Sequence, residues 1–387
     1  RGNTSCKECL PLLLTVGTLL KYLEEREAKD ELLVYFMPTA SGPCRFGQYS
    51  PYISQLLARR GIEDVALFSM QAEKSYTGEW GNDVTLRLWA GIVVADIMND
   101  IYSVLLTNAR DKASALAVFN AQCDRIVEAM ERLREFRDLK TFLSDVAERL
   151  REIPLVRRPE ETPSVLITGE IYVRSDNLSR QFLVERLAEH GFTAKVSSVL
   201  EWVYYTDWCY RKGLSAERPG LKGKARLFLR HTWMRGYERT LKKIMSRSGL
   251  IPYRVEDLDE VIARASCFIR PDLTGEAILT VGASLSEVLK HYCGVIAIGP
   301  FGCMPNRVAE SILTREMGRD RERPSGRMSA SVRQLHDKVL ELPFLAVESD
   351  GNPFPQVINA KLEVFMLQAA RVHDLMSGNG EGKSQAR

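Results

Sequence analysis

Six short runs of apolar, β-favouring residues recur along the chain, at 32–37 (LLVYFM), 65–69, 165–168 (VLIT), 194–197, 295–298 (VIAI) and 344–347. Between them the apolar positions move to helical spacing. Residues 11–27 keep Leu13, Val16, Leu20 and Leu23 on one stripe. Residues 50–60 carry Ile53, Leu56 and Leu57 ahead of Gly61, which suits the left-handed position that closes a helix. Residues 113–153 read as a long helical region filling a connection between lobes. Continuous apolar strands alternating with helices predict parallel strands with helices on both faces, an α/β fold.

The stretch Arg157-Arg158-Pro159-Glu160-Glu161-Thr162-Pro163 has a linker's composition, immediately before a fresh strand. It sets the expected domain division. An N-terminal α/β lobe over 1–156 includes the long helical connection, a C-terminal α/β lobe covers 157–376, and a Gly-, Ser- and Lys-rich tail over 377–387 is disordered. The tail's Gly382-Lys383-Ser384 is not a phosphate loop. Ser377 stands where such a loop needs glycine, and neither strand nor helix flanks it.

A chain of 387 residues can bury a large core, and a formal charge of +3 argues neither for nor against nucleic acid. Eight cysteines are not dense enough for a disulfide scaffold. The best apolar run, Leu10 to Leu20, has 11 residues and includes Thr15, Gly17 and Thr18. A membrane span needs ~20, so an amphipathic helix, no membrane and a cytoplasmic location are expected. Charge is concentrated in 211–247, where 12 Lys/Arg face two Glu. The helical spacing of Leu229, Trp233, Tyr237, Leu241 and Ile244 there predicts aromatics in the core and charges in water. A docking patch for an acidic partner or a CoA phosphate is the next reading of this stretch, and a nucleic-acid face the one after.

The cysteines change the picture. Cys9 and Cys303 each stand two residues before a proline suited to a first helical turn, and Cys44 lies in Gly42-Pro43-Cys44-Arg45-Phe46-Gly47. Free amides and the positive dipole end at helix starts predict stabilised thiolates of lowered pKa. Three such thiolates brought together would dock a metal cluster. Structural zinc sites present two close pairs, and only Cys6-x-x-Cys9 is such a pair, whereas iron–sulfur clusters tolerate dispersed ligands. Cys6-x-x-Cys9 also admits a thioredoxin-like reading. Cys123, Cys267 and Cys293 read as core thiols, and Cys209 stays undecided. Glu170 and Glu276, each following a glycine, are either carboxylates beside the cluster or substrate, hence catalytic candidates, or helix-start carboxylates held by amides. His291 reads as a surface or packing residue.

Four segments carry a resemblance. Lys7-Glu8-Cys9-Leu10-Pro11, Gly42 to Tyr49, Gly169-Glu170-Ile171-Tyr172-Val173-Arg174 and Gly299-Pro300-Phe301-Gly302-Cys303-Met304-Pro305 resemble the 2-hydroxyacyl-CoA dehydratase superfamily, in order and over nearly the whole chain to about residue 370. The nearest likeness is to the dehydratase-like region of large fused acyl-CoA dehydratase activase-related proteins, with double-cubane cluster proteins as relatives. The resemblance implies two Rossmann-like lobes with a [4Fe–4S] cluster between them, held by Cys9, Cys44 and Cys303. Cys6 would be an extra ligand, and an [8Fe–9S] double cubane a less favoured cofactor. The implied function is electron transfer in an ATP-driven low-potential reductase of anaerobic metabolism, with an activase module, fused or separate, as partner. The alternatives are a 2-hydroxyacyl-CoA dehydratase subunit that binds a CoA ester at an open iron, and a regulatory or scaffold module without a cluster. Whether the chain is itself an enzyme, a reductase component or a dehydratase-like lyase, stays open, as does dimerisation. No ATP-binding phosphate motif is recognisable, and a double cubane would need about six thiolates.

Overall fold

A computed structural model describes residues 8–28, 30–40, 44–70, 81–132, 136–215, 220–318 and 330–378. Cys6 and the Gly382-Lys383-Ser384 tail lie outside them. All six apolar runs are strands, and every strand pairing is parallel.

The first unit contains α1 (Leu10–Glu25), β1 (Leu33–Phe36), α2 (Tyr49–Arg59) and β2 (Val65–Phe68). Its core is Leu12, Val16, Leu19, Leu20, Met37, Tyr49, Ile53, Leu56 and Leu57, the stripes legible in the sequence. Gly61 closes α2 at φ +64°. Among the described residues, the two-stranded sheet is covered on one face. Leu33 and Tyr35 pack on the core while Val34 and Phe36 point outward, contrary to the expectation of helices on both faces.

The second unit opens with three helices, α3 (Gly81–Asn108), α4 (Lys112–Arg132) and α5 (Phe136–Arg151). It continues with β3 (Ser164–Gly169), α6 (Ile171–Ser175), α7 (Leu183–Glu189), β4 (Thr193–Val196), α8 (Val199–Lys212), α9 (Leu221–Met245), α10 (Leu258–Ala265) and α11 (Glu276–Glu287). Last come β5 (Gly294–Pro300), α12 (Met304–Met317), α13 (Ala330–Lys338), β6 (Phe344–Ser349) and α14 (Gln356–Met376). Apart from Leu10 of α1, which joins the larger core, the two core clusters change over between β2 and α3, upstream of the linker-like stretch at 157–163. The reason is that α3 packs on β4, while α4 packs on α3 and α5 on α9, so that all three join the core of the second sheet. On α3, Ser103 accepts the Ala194 N–H at 2.7 Å and Thr107 donates to the Phe192 carbonyl at 3.0 Å, which fixes the helix against β4. The 113–153 region is thus two helices of the larger core rather than a connection.

The apolar run within α3 exceeds the Leu10–Leu20 run singled out above. By length and composition Leu86–Asn108 could cross a membrane, but 61% of its apolar window is buried inside the fold. Cys123 on α4 packs against the same core. Cys123→Ala is expected to cost ~1 kcal/mol, read as a lower urea midpoint, because a small half-buried side chain leaves little cavity.

The larger sheet has the order β4-β3-β5-β6. From β3 the chain steps to β4 on one side and then crosses to β5 on the other, so the strand order reverses between β3 and β5. Open parallel sheets bind ligands outside the carboxyl ends of their strands at such a reversal. The close approach there requires glycine. Gly169 sits at φ +112°, and a Cβ on it would lie 2.0 Å from the Ile298 carbonyl oxygen.

Candidate functional site

Each of the three cysteines singled out in the sequence caps a helix. Cys9 (φ −72°, ψ 153°) precedes α1, with Pro11 in its first turn. Its sulfur lies 2.5 Å from the hydroxyl of Tyr49, the first residue of α2. Cys44 caps the single 3₁₀ turn Arg45–Gln48, and its sulfur accepts the Phe46 N–H at 3.5 Å. That turn is folded tightly back, since a Cβ on Gly47 would lie 2.4 Å from the Ala40 carbonyl oxygen. Cys303 caps α12 immediately after β5, with Pro305 in the first turn. Gly302 donates its N–H to Glu348 at 3.1 Å and Arg307 pairs with the same carboxylate at 2.5 Å, which steadies the loop.

The two glutamates are helix-start carboxylates, and both act electrostatically on the Cys44 and Cys303 thiols. Glu170 caps α6 and accepts the Val173 N–H at 2.8 Å. Glu276, the first residue of α11, accepts the Ile171 N–H at 3.0 Å and so ties α11 to α6. Behind them Arg174, 2% exposed, spends its guanidinium on main-chain carbonyls. It donates to Ser197 at 3.0 Å, to Ser198 at 3.2 Å and to Gly169.

The charges show which groups share a neighbourhood. The Cys44 thiol is raised by Glu276, Glu170 and Cys9, and that of Cys303 by Glu276, Glu170 and Cys44. Helix-start stabilisation does not win here, contrary to the sequence expectation. Burial first, then the two glutamates, push Cys44 up to about 11 and Cys303 to about 12, against the lowering by the Phe46 and Asn306 backbone amides. Burial, then the Cys9 sulfur, drives the Tyr49 hydroxyl up as well. Burial, then Glu170, raises the Glu276 carboxyl, and the more distant Arg174 offsets only part of this. Cys44, Cys303 and Glu276 are thus each held toward the protonated form by burial and by neighbouring negative charge, and a cationic group bound among them would reverse that.

Among the described residues, no group of three or more His, Cys, Asp and Glu side chains is gathered tightly enough to hold one metal ion. The three thiols stand on separate helix starts, and sulfur is a soft donor.

The remaining candidates sort differently. Cys293 is buried and donates to the Ser164 carbonyl at 3.2 Å, as a core thiol should, and Cys209 is buried beside Tyr205. Cys267 is exposed, not core, because it follows the end of α10. On α9, Tyr237, Leu241 and Ile244 are buried, but Phe228 and Leu229 are 62% and 69% exposed. Several of that helix's cations turn inward instead, where Arg235 and Lys242 meet the buried Glu238 and Arg230 meets the buried Asp207. The expected stripe therefore holds at Tyr237, Leu241 and Ile244 and fails at Leu229 and Trp233, while the buried acids on α8 and α9 draw part of the charge inward. His291 is half-buried against Glu287. Sequence reasoning quoted Tyr49 and Arg174 within the motifs without giving them a role, and it left Asn306 unremarked. Their signal was position, one residue into a helix after Cys44 and one turn past Glu170 and Cys303.

No family model, curated protein or solved structure matches the chain.

Proposed function

We propose that the chain is an iron–sulfur electron-transfer module of an ATP-driven low-potential reductase system, with its cluster on Cys9, Cys44 and Cys303. One observation carries the reading. Thiols with 34 and 258 residues between them share a neighbourhood at three helix starts, beside the strand-order reversal of a parallel sheet. On this reading the two sheets are Rossmann-like lobes on the dehydratase-superfamily plan, the cluster lies between them, and an ATP-dependent activase is the electron donor. When bound, the cluster supplies a one-electron store of low potential. The chain's residues hold the thiolates, limit water, and tune the potential through the Phe46 and Asn306 amides and the two glutamates.

The dehydratase reading is favoured by one feature, the protonated Glu276 carboxyl beside the thiols, because a departing hydroxyl needs a proton. Anaerobic purification with iron and sulfide analysis tests the main proposal, and about four of each per chain are expected. A colourless protein, or one holding a single zinc, would overturn it. Short 2-hydroxyacyl-CoA esters added to the reduced protein then separate the two readings. A saturable, salt-sensitive spectral change, lost on neutralising Lys222, Lys224 and Arg226, would favour the dehydratase.

A further inference from the structure

Asn306 occupies the first turn of α12, three residues after Cys303, and is 3% exposed. Among the buried side-chain atoms of the described residues that lack a hydrogen-bond partner, it alone contributes both of its polar atoms, Oδ1 and Nδ2. A buried amide left so costs ~1–3 kcal/mol for each unmet group. The cost is not forced by packing. Asn306 continues the stripe of Ala309, Leu313 and Met317 that α12 turns to the core, where an apolar residue would be satisfied without partners.

The sheet also gives way to it. Gly299 stands in the fully buried central strand β5, and a Cβ there would lie 2.7 Å from Asn306 Cγ and 3.0 Å from Nδ2. Glycine inside a strand weakens it and marks a close approach. The fold thus gives up stability twice, in the strand and in the amide, at the same point of the rim. That point lies between the carboxyl end of β5 and the helix start that presents Cys303.

We propose that Asn306 is a positioning residue for the group held by the three thiols, donating its side-chain N–H to a sulfur of that group. The inference rests on the cluster reading above and names the residue that tunes it. A donor aimed at sulfur stabilises the more negative, reduced state, so removing it lowers the potential. Asn306 does not titrate, so the effect is independent of pH-linked changes at Glu170 and Glu276.

Asn306→Leu, which keeps the branched skeleton of Asn with apolar atoms, tests this in two states of the protein. Without iron, the variant is expected to match or exceed the wild-type urea midpoint, because an unpaired amide has been replaced by an apolar group. With iron, it is expected to retain the metal but to be about tenfold harder to reduce at equilibrium with the same donor. Asn306→Gln, which keeps an amide, should recover part of the difference. A lower midpoint in the iron-free variant would show that the amide already has partners within the fold and would overturn the role. An unchanged reduction equilibrium at full iron content would overturn it too. Absence of iron from the wild type would instead overturn the cluster reading itself, and an iron-free stability result would still report whether the amide is unpaired.

Discussion

Cys303→Ala, purified without oxygen, is expected to lose nearly all its iron while keeping its helical content and urea midpoint. The residue sits on a loop end after β5, and the core of that strand, Val295 to Ile298, is untouched by removing one half-buried sulfur. Cys44→Ala should behave alike, since Cys44 belongs to neither core cluster and its turn is held by main-chain contacts. Two controls bracket the result. Cys267→Ala should change neither iron nor stability, because Cys267 is exposed and away from the thiol neighbourhood. Cys293→Ala should retain iron and lose stability, because its thiol is 1% exposed and bonded to the Ser164 carbonyl. Iron retained in Cys303→Ala but lost in Cys293→Ala would show that the cysteines had been sorted wrongly.

The second large effect is on pH dependence in the iron-free protein. Glu276 has its pKa raised from 4.5 to about 8, by burial first and then by Glu170. Between those values the folded state holds a proton that the unfolded chain has released. Stability from this group is therefore fully present below about 4.5 and is lost as pH climbs to about 8, with a slope of at most ~1.4 kcal/mol per pH unit for one proton. Glu201 on α8, also raised to about 8 by burial and then by Glu256, adds in the same direction. Glu276→Gln should be flatter than wild type across that window and more stable at its alkaline end. Bound iron should flatten the wild-type profile as well, since positive charge at the thiols favours the carboxylate. Parallel urea-midpoint curves for wild type and Glu276→Gln from pH 5 to 8 would refute this account.

The inner strands of the larger sheet were legible because parallel, doubly covered strands are written as unbroken apolar runs, and β5, buried along its whole length, is the clearest case; β1 reads the same although Val34 and Phe36 are exposed. Helix α3 was missed for a related reason. It is apolar nearly all round, so it carries no stripe to read, and its periodicity is erased by burial within the larger core. The stretch at 157–163 has a linker's composition, yet Thr162 at its end is buried and donates to Asn108 of α3 at 2.9 Å, a contact that composition does not announce. At the site, Cys-x-Pro spacing identified two of the helix starts. It could not reveal the acidity balance, which depends on Glu170 and Glu276 arriving from elements 106 residues apart in sequence. Nor could a hydrophobic pattern expose Asn306, whose importance lies in having no partner.

Cys9 and Cys44 are carried by the small unit that closes around α1 and β2, and Cys303 follows 259 residues after Cys44. At typical elongation rates of ~5–20 residues per second, a ribosome would present the first two thiols roughly 15–50 s before the third. If the three thiols hold a cluster as proposed, metal delivery would have to wait for nearly finished chains, and fragments cut short before β5 would be unable to compete for it.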